Sequence, residues 1–177
     1  ALKVFEEGYK AYPENKDIRG YYASTLYESG KFAEAGPILE ENYEKSDARD
    51  IRMLEAAASA YYQVKNYDDA IRVVNEMIDS QDNPNPKTIS MLIGIYQQQE
   101  DYNSAIDTIE KYMDMPDAPK ETWLKQIISC YYNQQNYEKM NEYNKKLQDL
   151  TGTQDPLVLD YKKTAQSLNI DNINTTY

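Results

Sequence analysis

The side chains that could do chemistry in this chain are one cysteine and a few pairs of adjacent carboxylates. Cys130 is the single cysteine, and the sequence contains no histidine that could act as a base beside it. A reactive thiol needs a lowered pKa, which a nearby cation such as a protonated histidine would provide. Because the chain has no histidine, we interpret Cys130 as a packing residue. No acidic loop has the spacing of a calcium site, and we interpret Asp68-Asp69 and Glu40-Glu41 as solvated charge. We therefore expect no enzyme, no metal site and no cofactor.

The overall charge narrows the choice of partners. The formal net charge is −11, with 30 acidic and 19 basic residues. Nucleic-acid affinity depends on Lys and Arg neutralising phosphates, so this balance argues against DNA or RNA. No apolar run approaches the roughly 18 residues of a membrane-spanning helix, so we expect no membrane insertion. A lone cysteine cannot form an internal disulfide, so it leaves the redox compartment open.

An aromatic residue recurs every 35 residues along the chain, at Phe32, Tyr67, Tyr102 and Tyr137. Three positions later the chain has a small residue in three units and a methionine in the last: Ala35, Ala70, Ala105 and Met140. Apolar residues around these positions are spaced as on a helix face, with a polar break at 63–66 in the second unit. Each unit therefore predicts two antiparallel helices joined by a tight turn.

Helix boundaries divide the chain into repeats. Asn66, Asp101 and Asn136 stand where N-caps of the second helices belong, and Asn85-Pro86 marks the start of a unit. We predict repeats at 16–50, 51–85, 86–120 and 121–154, preceded by the second helix of a truncated repeat at 1–15. A closing helix at 156–168, with Leu157, Tyr161, Ala165 and Leu168 on one face, and a frayed tail at 169–177 complete the division.

The units resemble the tetratricopeptide repeat (TPR) in the segments YYASTLYESGKFAEA, AAASAYYQVKNYDDA, LIGIYQQQEDYNSA and IISCYYNQQNYEKM. The resemblance covers the chain from residue 1 to about residue 149. It implies an all-α solenoid, a right-handed superhelix of helical hairpins that binds proteins through a concave groove. The glycine that the family has in its turn is present only as Gly30, and Lys65, Glu100 and Gln135 replace it in later units.

The resemblance also implies which first-helix residues face the groove. They combine small, aromatic, amide and basic side chains: Ser24, Tyr27, Arg52, Ser59, Tyr62, Gln63, Lys87, Gly94, Gln97, Gln98, Lys125, Ser129, Tyr132 and Asn133. Small residues, rings and amides suit an extended peptide or a partner helix. The alternative is that these tyrosines only cap the core and face water. The Lys–Asn clamp by which some members hold a terminal carboxylate is not supplied, since Gly20 and Ser24, and Glu55 and Ser59, stand at its positions.

The sequence also supports other interpretations. The 35-residue spacing also resembles the RNA-binding pentatricopeptide family, but the negative charge disfavours that function. The segment KETWLKQIISCYYNQQNYEKM is similar to repeat proteins of bacterial TonB-type envelope systems, which points to a bacterial periplasm or envelope, with the cytoplasm as the other location. The alternative function is a structural or assembly subunit of a larger complex that uses its outer faces and repeat ends. The truncated first repeat would expose an apolar end, which a second copy of the chain could cover. Trp123 is either a core residue or an anchor for a partner.

Overall fold

Helices follow one another along the chain in the computed structural model, which describes residues 2–153, 155–156, 159–164 and 166–167. No described residue belongs to a β-strand. The helices are α1 (Leu2–Ala11), α2 (Lys16–Glu28), α3 (Phe32–Glu44), α4 (Ile51–Gln63), α5 (Tyr67–Asp79), α6 (Pro86–Gln98), α7 (Tyr102–Tyr112), α8 (Lys120–Asn133) and α9 (Tyr137–Thr151). Residues 156, 159–164 and 166–167 are also helical.

The chain separates into two compact units, with the division after Ile95 inside α6. In the first unit each helix from α1 to α5 packs on the next one in sequence. Its core contains the small residues Ala23 and Ala58 together with larger side chains such as Leu54 and Met77. The described helices of the second unit pack in the same sequential way, α7 on α8 and α8 on α9.

Trp123 and Cys130 both lie in the core of the second unit, where each is fully buried. Burial raises the pKa of the Cys130 thiol, which opposes formation of a nucleophilic thiolate. The interpretation of Cys130 as a packing residue is therefore confirmed, and Trp123 is a core residue and not an exposed anchor.

The turn inside each hairpin is the same in every repeat that the structure describes. After α4, the Lys65 N–H donates to the Tyr62 carbonyl at 3.0 Å and the Asn66 N–H donates to the Tyr61 carbonyl at 2.9 Å. This pair of hydrogen bonds defines a Schellman motif, whose penultimate residue takes a left-handed conformation. The left-handed residues are Gly30, Lys65, Glu100 and Gln135, with φ of 73°, 59°, 59° and 57°. The turn geometry thus persists where the glycine is lost.

The residue after each left-handed position stands at the N-cap of the next helix. The side chains of Asn66, Asp101 and Asn136 accept hydrogen bonds from backbone N–H groups three residues later, so their predicted role as N-caps is confirmed. Lys31 stands at the equivalent position before α3 and forms no side-chain cap. The first complete hairpin therefore has the favourable turn glycine without a cap, and the later ones have the cap without the glycine.

Tyrosine hydroxyls connect neighbouring second helices to the rest of their unit. Tyr9 donates to Glu41 at 2.6 Å, which joins α1 to α3. Tyr61 donates to Glu40, and in the second unit Tyr143 of α9 donates to Glu110 of α7. Burial and these hydrogen bonds raise the pKa of Tyr61 and Tyr143 well above the ordinary tyrosine value. The chain has 18 tyrosines, and part of this high content therefore serves the packing of neighbouring helices.

The first helices begin at or within one residue of the predicted repeat starts at 16, 51, 86 and 121. The first helices α2, α4 and α6 begin at Lys16, Ile51 and Pro86, and α8 begins at Lys120. The division into repeats remains a prediction. In the predicted closing helix, Tyr161 is helical, whereas Leu157, Ala165, Leu168 and the tail at 169–177 lie outside the described residues.

Candidate functional site: the cleft between α4 and α6

A cleft of about 250 Å³ lies in the first unit between the C-terminal halves of α4 and α6. We call it the α4–α6 cleft, and it is lined by Ala58, Ser59, Tyr62, Ser90, Met91, Gly94 and Ile95. Ser59, Tyr62 and Gly94 are three of the groove residues that the resemblance implies. Ala58, Ser90, Met91 and Ile95 were not among them. The apolar spacing of both helices marks Ala58, Met91 and Ile95 as inward-facing.

Small residues make the space in this cleft. A Cβ atom added to Gly94 would meet no heavy atom within 4 Å, so the absence of a side chain there leaves open volume. Tyr62 forms one wall with 37% of its surface exposed, and its ring lies against Tyr67 at a centroid distance of 5.8 Å. Because the lining is mainly apolar with three hydroxyls, those of Ser59, Tyr62 and Ser90, the cleft suits an apolar side chain approached by a polar backbone.

Tyr27 connects the preceding repeat to the floor of the cleft. Its hydroxyl lies 2.9 Å from Ser59 Oγ, and its half-buried ring meets Phe32 edge-on at 5.1 Å. Tyr27 and Ser59, two of the expected groove residues, are thus hydrogen-bonded to each other, which fixes the orientation of both side chains. Tyr27 acts as a support for the cleft and presents less of its ring to solvent than Tyr62 does.

The remaining groove residues of the first unit are exposed polar side chains. Ser24, Gln63 and Lys87 are exposed, and Arg52 forms an ion pair with Asp50, the N-cap of α4, with an Nε to Oδ1 distance of 2.9 Å. That arrangement leaves the Arg52 side chain 81% exposed at the edge of the helix. These side chains are therefore accessible to a bound chain.

In the second unit the expected groove residues are engaged by other parts of the chain. Tyr132 stacks on Tyr161 of the C-terminal segment, with centroids 4.1 Å apart and planes 14° from parallel. Lys125 Nζ lies 2.8 Å from Glu121 and 2.9 Å from Asp155, and both contacts raise the lysine pKa. The segment after α9 therefore covers part of the first-helix surface of α8.

The other groove residues of the second unit divide between packing and solvent. The Gln97 amide donates to Cys130 Sγ at 3.4 Å, and the Gln126 amide donates to Gln97 Oε1 at 3.2 Å. Gln97 thus belongs to the packing of α6 residues on α8 within this unit. Gln98 and Asn133 are exposed, and Ser129 is half-buried.

The carboxylate pairs have structural partners. Glu40 is 12% exposed and accepts from Arg72 at 2.8 and 3.0 Å as well as from Tyr61, and Arg72 also bonds Asp69. Hydrogen bonds from Arg72 and then Asn66 lower the pKa of Asp69. The interpretation of Glu40-Glu41 as solvated charge was wrong, because side chains of neighbouring helices bond both residues: Arg72 and Tyr61 donate to Glu40, and Tyr9 donates to Glu41.

The described residues show no group of three or more potential ligands that could hold a metal ion. None of their helices is long and apolar enough to cross a membrane.

Comparison with solved structures identifies the architecture. The crystal structure of YrrB, described as a TPR protein with an unusual peptide-binding site, matches with a TM-score of 0.58 and 15% sequence identity. The match covers 99% of this chain and 87% of that chain. The chain has the TPR fold, an all-α helical-repeat solenoid. At this identity the likeness shows the fold alone. No family model matches the chain, and no curated protein matches it in sequence.

Proposed function

We propose that this TPR-fold chain is a protein-interaction scaffold that binds an extended peptide or a partner helix along its first helices. The observation that carries the proposal is the α4–α6 cleft, which is lined by Tyr62 and Met91 together with the small residues Ser59 and Gly94. An apolar side chain of the partner fills the cleft, and the exposed amides and hydroxyls beside it bond the partner's backbone. No catalytic step belongs to this function.

Two further observations support peptide binding. YrrB, which shares the fold, is described as having a peptide-binding site. In this chain, Tyr62 remains 37% exposed although it is a large ring beside an apolar cavity, and such a ring gains contact area at low entropic cost when a ligand covers it.

The test is to select binders from a displayed library of random peptides and to measure their affinity for three variants. Gly94→Leu places a side chain in the open volume, so we expect at least about a tenfold loss of affinity, corresponding to an apolar side chain denied its site. Tyr62→Ala should weaken binding similarly by removing one wall. The control is Glu76→Ala, an exposed change on α5 that should leave affinity unchanged.

Each variant must first unfold in urea at a midpoint close to that of the parent chain. Selected peptides whose affinity is the same for the parent and for Gly94→Leu bind elsewhere, and this result would contradict the proposal. The same conclusion follows if the library yields no binder at all.

A second function is favoured by the charge on the second helices. Helix α3 carries four carboxylates, and α5 carries four carboxylates and one arginine. Lys31, Lys45 and Arg72 pair with four of these eight carboxylates, so the two helices keep a net negative charge. An acidic outer face of this kind suits a basic partner surface, as in an assembly subunit of a larger, bacterial envelope complex. Reversal of the exposed charges, Glu44→Lys with Glu76→Lys, would then abolish assembly, whereas Gly94→Leu would not.

A further inference from the structure

A second pocket opens on the same two helices, nearer their N-terminal ends. Its volume is about 550 Å³, and it includes Ile51 and Glu55 of α4 and Thr88 of α6. We call it the hydroxyl pocket, because two of its lining residues, Tyr43 and Thr88, bring hydroxyl groups that lack partners. Since α4 and α6 each contribute their N-terminal half here and their C-terminal half to the α4–α6 cleft, both pockets lie along one seam.

The two hydroxyl-bearing side chains are nearly buried. Tyr43 and Thr88 are each 5% exposed, yet neither hydroxyl forms a hydrogen bond with any residue in the described part of the chain. Neither oxygen is fully enclosed, since the buried side-chain oxygen without a partner among the described residues is Gln126 Oε1. Both hydroxyls are therefore able to bond a group in the pocket, and a ligand that covered one without bonding it would lose about 1–3 kcal/mol. Other polar residues of the pocket are satisfied, since Ser80 and Gln81 both donate to the Met77 carbonyl, at 2.9 and 3.1 Å.

The charges at the pocket select the chemistry of its ligand. Arg49 and Glu55 both line it, and neither forms an ion pair with another described residue. A carboxylate in the pocket would face Glu55, and an ammonium group would face Arg49. A carboxamide avoids both repulsions, because its oxygen accepts from the guanidinium or a hydroxyl while its NH₂ donates to Glu55 or a hydroxyl.

The distance between the pockets fixes the spacing in the ligand. On α4 the two sets of lining residues are centred about seven positions apart, which corresponds to about 10 Å along a helix axis. An extended peptide advances about 3.3 Å per residue, so about three residues bridge that distance.

We propose that the hydroxyl pocket binds the carboxamide side chain of an Asn or Gln in the partner peptide, three residues from the apolar side chain that fills the α4–α6 cleft. This inference rests on the proposed function and adds the second element of its sequence specificity. The pocket reads this residue through Tyr43 and Thr88, with Arg49 and Glu55 excluding charged alternatives.

The experiment compares peptides selected on the parent chain with those selected on the double variant Tyr43→Phe with Thr88→Val. Both changes keep side-chain shape and remove only the hydroxyls, which make no internal hydrogen bond, so the urea midpoint should stay equal or rise. The parent should enrich an apolar residue with Asn or Gln three positions away. The double variant should keep the apolar preference and lose about tenfold in affinity for the amide-bearing peptide, the effect of about 1.4 kcal/mol.

The outcomes separate this inference from the proposed function. Peptides that are sensitive to Gly94→Leu but show no amide preference at that spacing would overturn the inference alone. Equal affinity of the parent and the double variant for the amide-bearing peptide would do the same, as would enrichment of Asp, Glu or Lys at that position. If no selected peptide is sensitive to Gly94→Leu, both proposals are wrong. If Thr88→Val lowers the urea midpoint, Tyr43→Phe alone gives the same comparison.

Discussion

Replacing Lys65, Glu100 or Gln135 by glycine should stabilise the protein, although each change removes a side chain. All three have φ between 57° and 59°, in the left-handed region where a Cβ atom crowds the backbone. Each closes a hairpin with the same pair of hydrogen bonds as Gly30, so the turn itself requires this conformation.

The size of the effect follows from two opposing contributions. A non-glycine residue in the left-handed conformation costs about 1–2 kcal/mol, while glycine loses about 0.5–1 kcal/mol more backbone entropy on folding. Each substitution should therefore raise the free energy of unfolding by about 0.5–1 kcal/mol. The three positions lie one repeat apart without shared partners, so the triple variant should gain about 1.5–3 kcal/mol.

The assay is urea unfolding followed by far-ultraviolet circular dichroism, with the slope m compared between variants to exclude changes in the unfolded state. Two alanine variants serve as controls. Lys65→Ala removes the same side chain without relieving the backbone, so it should leave stability nearly unchanged. Gly30→Ala introduces the strain where a Cβ meets nothing within 4 Å, so it should cost about 1 kcal/mol through the backbone alone.

The reasoning would be refuted if Lys65→Gly were no more stable than Lys65→Ala. That result would mean that a non-glycine residue occupies this turn without cost. A neutral effect of Gly30→Ala would lead to the same conclusion from the opposite substitution.

Two further predictions concern glycines within helices and the ionisation of Tyr61 and Tyr143. In Gly36→Ala the new Cβ would lie 2.9 Å from the Tyr61 ring, so overpacking should exceed the gain in helix propensity and destabilise the protein by about 1 kcal/mol. Gly94→Ala, where a Cβ meets nothing within 4 Å, should instead stabilise the protein by about 1 kcal/mol. The urea midpoints of the two variants measure both effects. Because the pKa values of Tyr61 and Tyr143 are raised in the folded state, their contribution to stability is complete below the unfolded tyrosine pKa of about 10 and is lost as pH rises through the folded values. Ultraviolet titration should show a late group of tyrosines that ionises together with unfolding, and titration of every tyrosine near the ordinary value with the helices intact would contradict this.

The repeat pattern was enough to predict the hairpins and their caps, because these depend on residues close in sequence. Asn66 caps a helix through the N–H of Asp69, and the helical spacing that predicts the cap lies within the same unit. The pattern did not predict that Glu40 is held by Arg72, because that contact joins second helices of successive repeats. The separation of 32 residues, close to one repeat, recurs in Tyr9 with Glu41 and is a signal that a search for complementary pairs would have found.

The repeat pattern could not predict the contacts of the C-terminal segment, for a different reason. Tyr161 lies after the last repeat, so no periodicity indicates which ring it meets. Its stacking on Tyr132 also changes the interpretation of the groove. Tyrosines at the same repeat position, Tyr62 and Tyr132, are exposed to a cavity in one unit and covered by the chain itself in the other.

This internal contact is informative about a ligand, because it shows what a tyrosine at that position binds. In the second unit an aromatic ring stacks on Tyr132 while a carboxylate, Asp155, pairs with Lys125. Two repeats earlier Tyr62 offers the same ring, but Glu55 stands where Lys125 does. A ligand of the first unit can therefore make the same apolar contact with Tyr62. In place of the carboxylate it needs a group that donates a hydrogen bond to Glu55. The carboxamide assigned to the hydroxyl pocket, which Glu55 lines, meets that requirement.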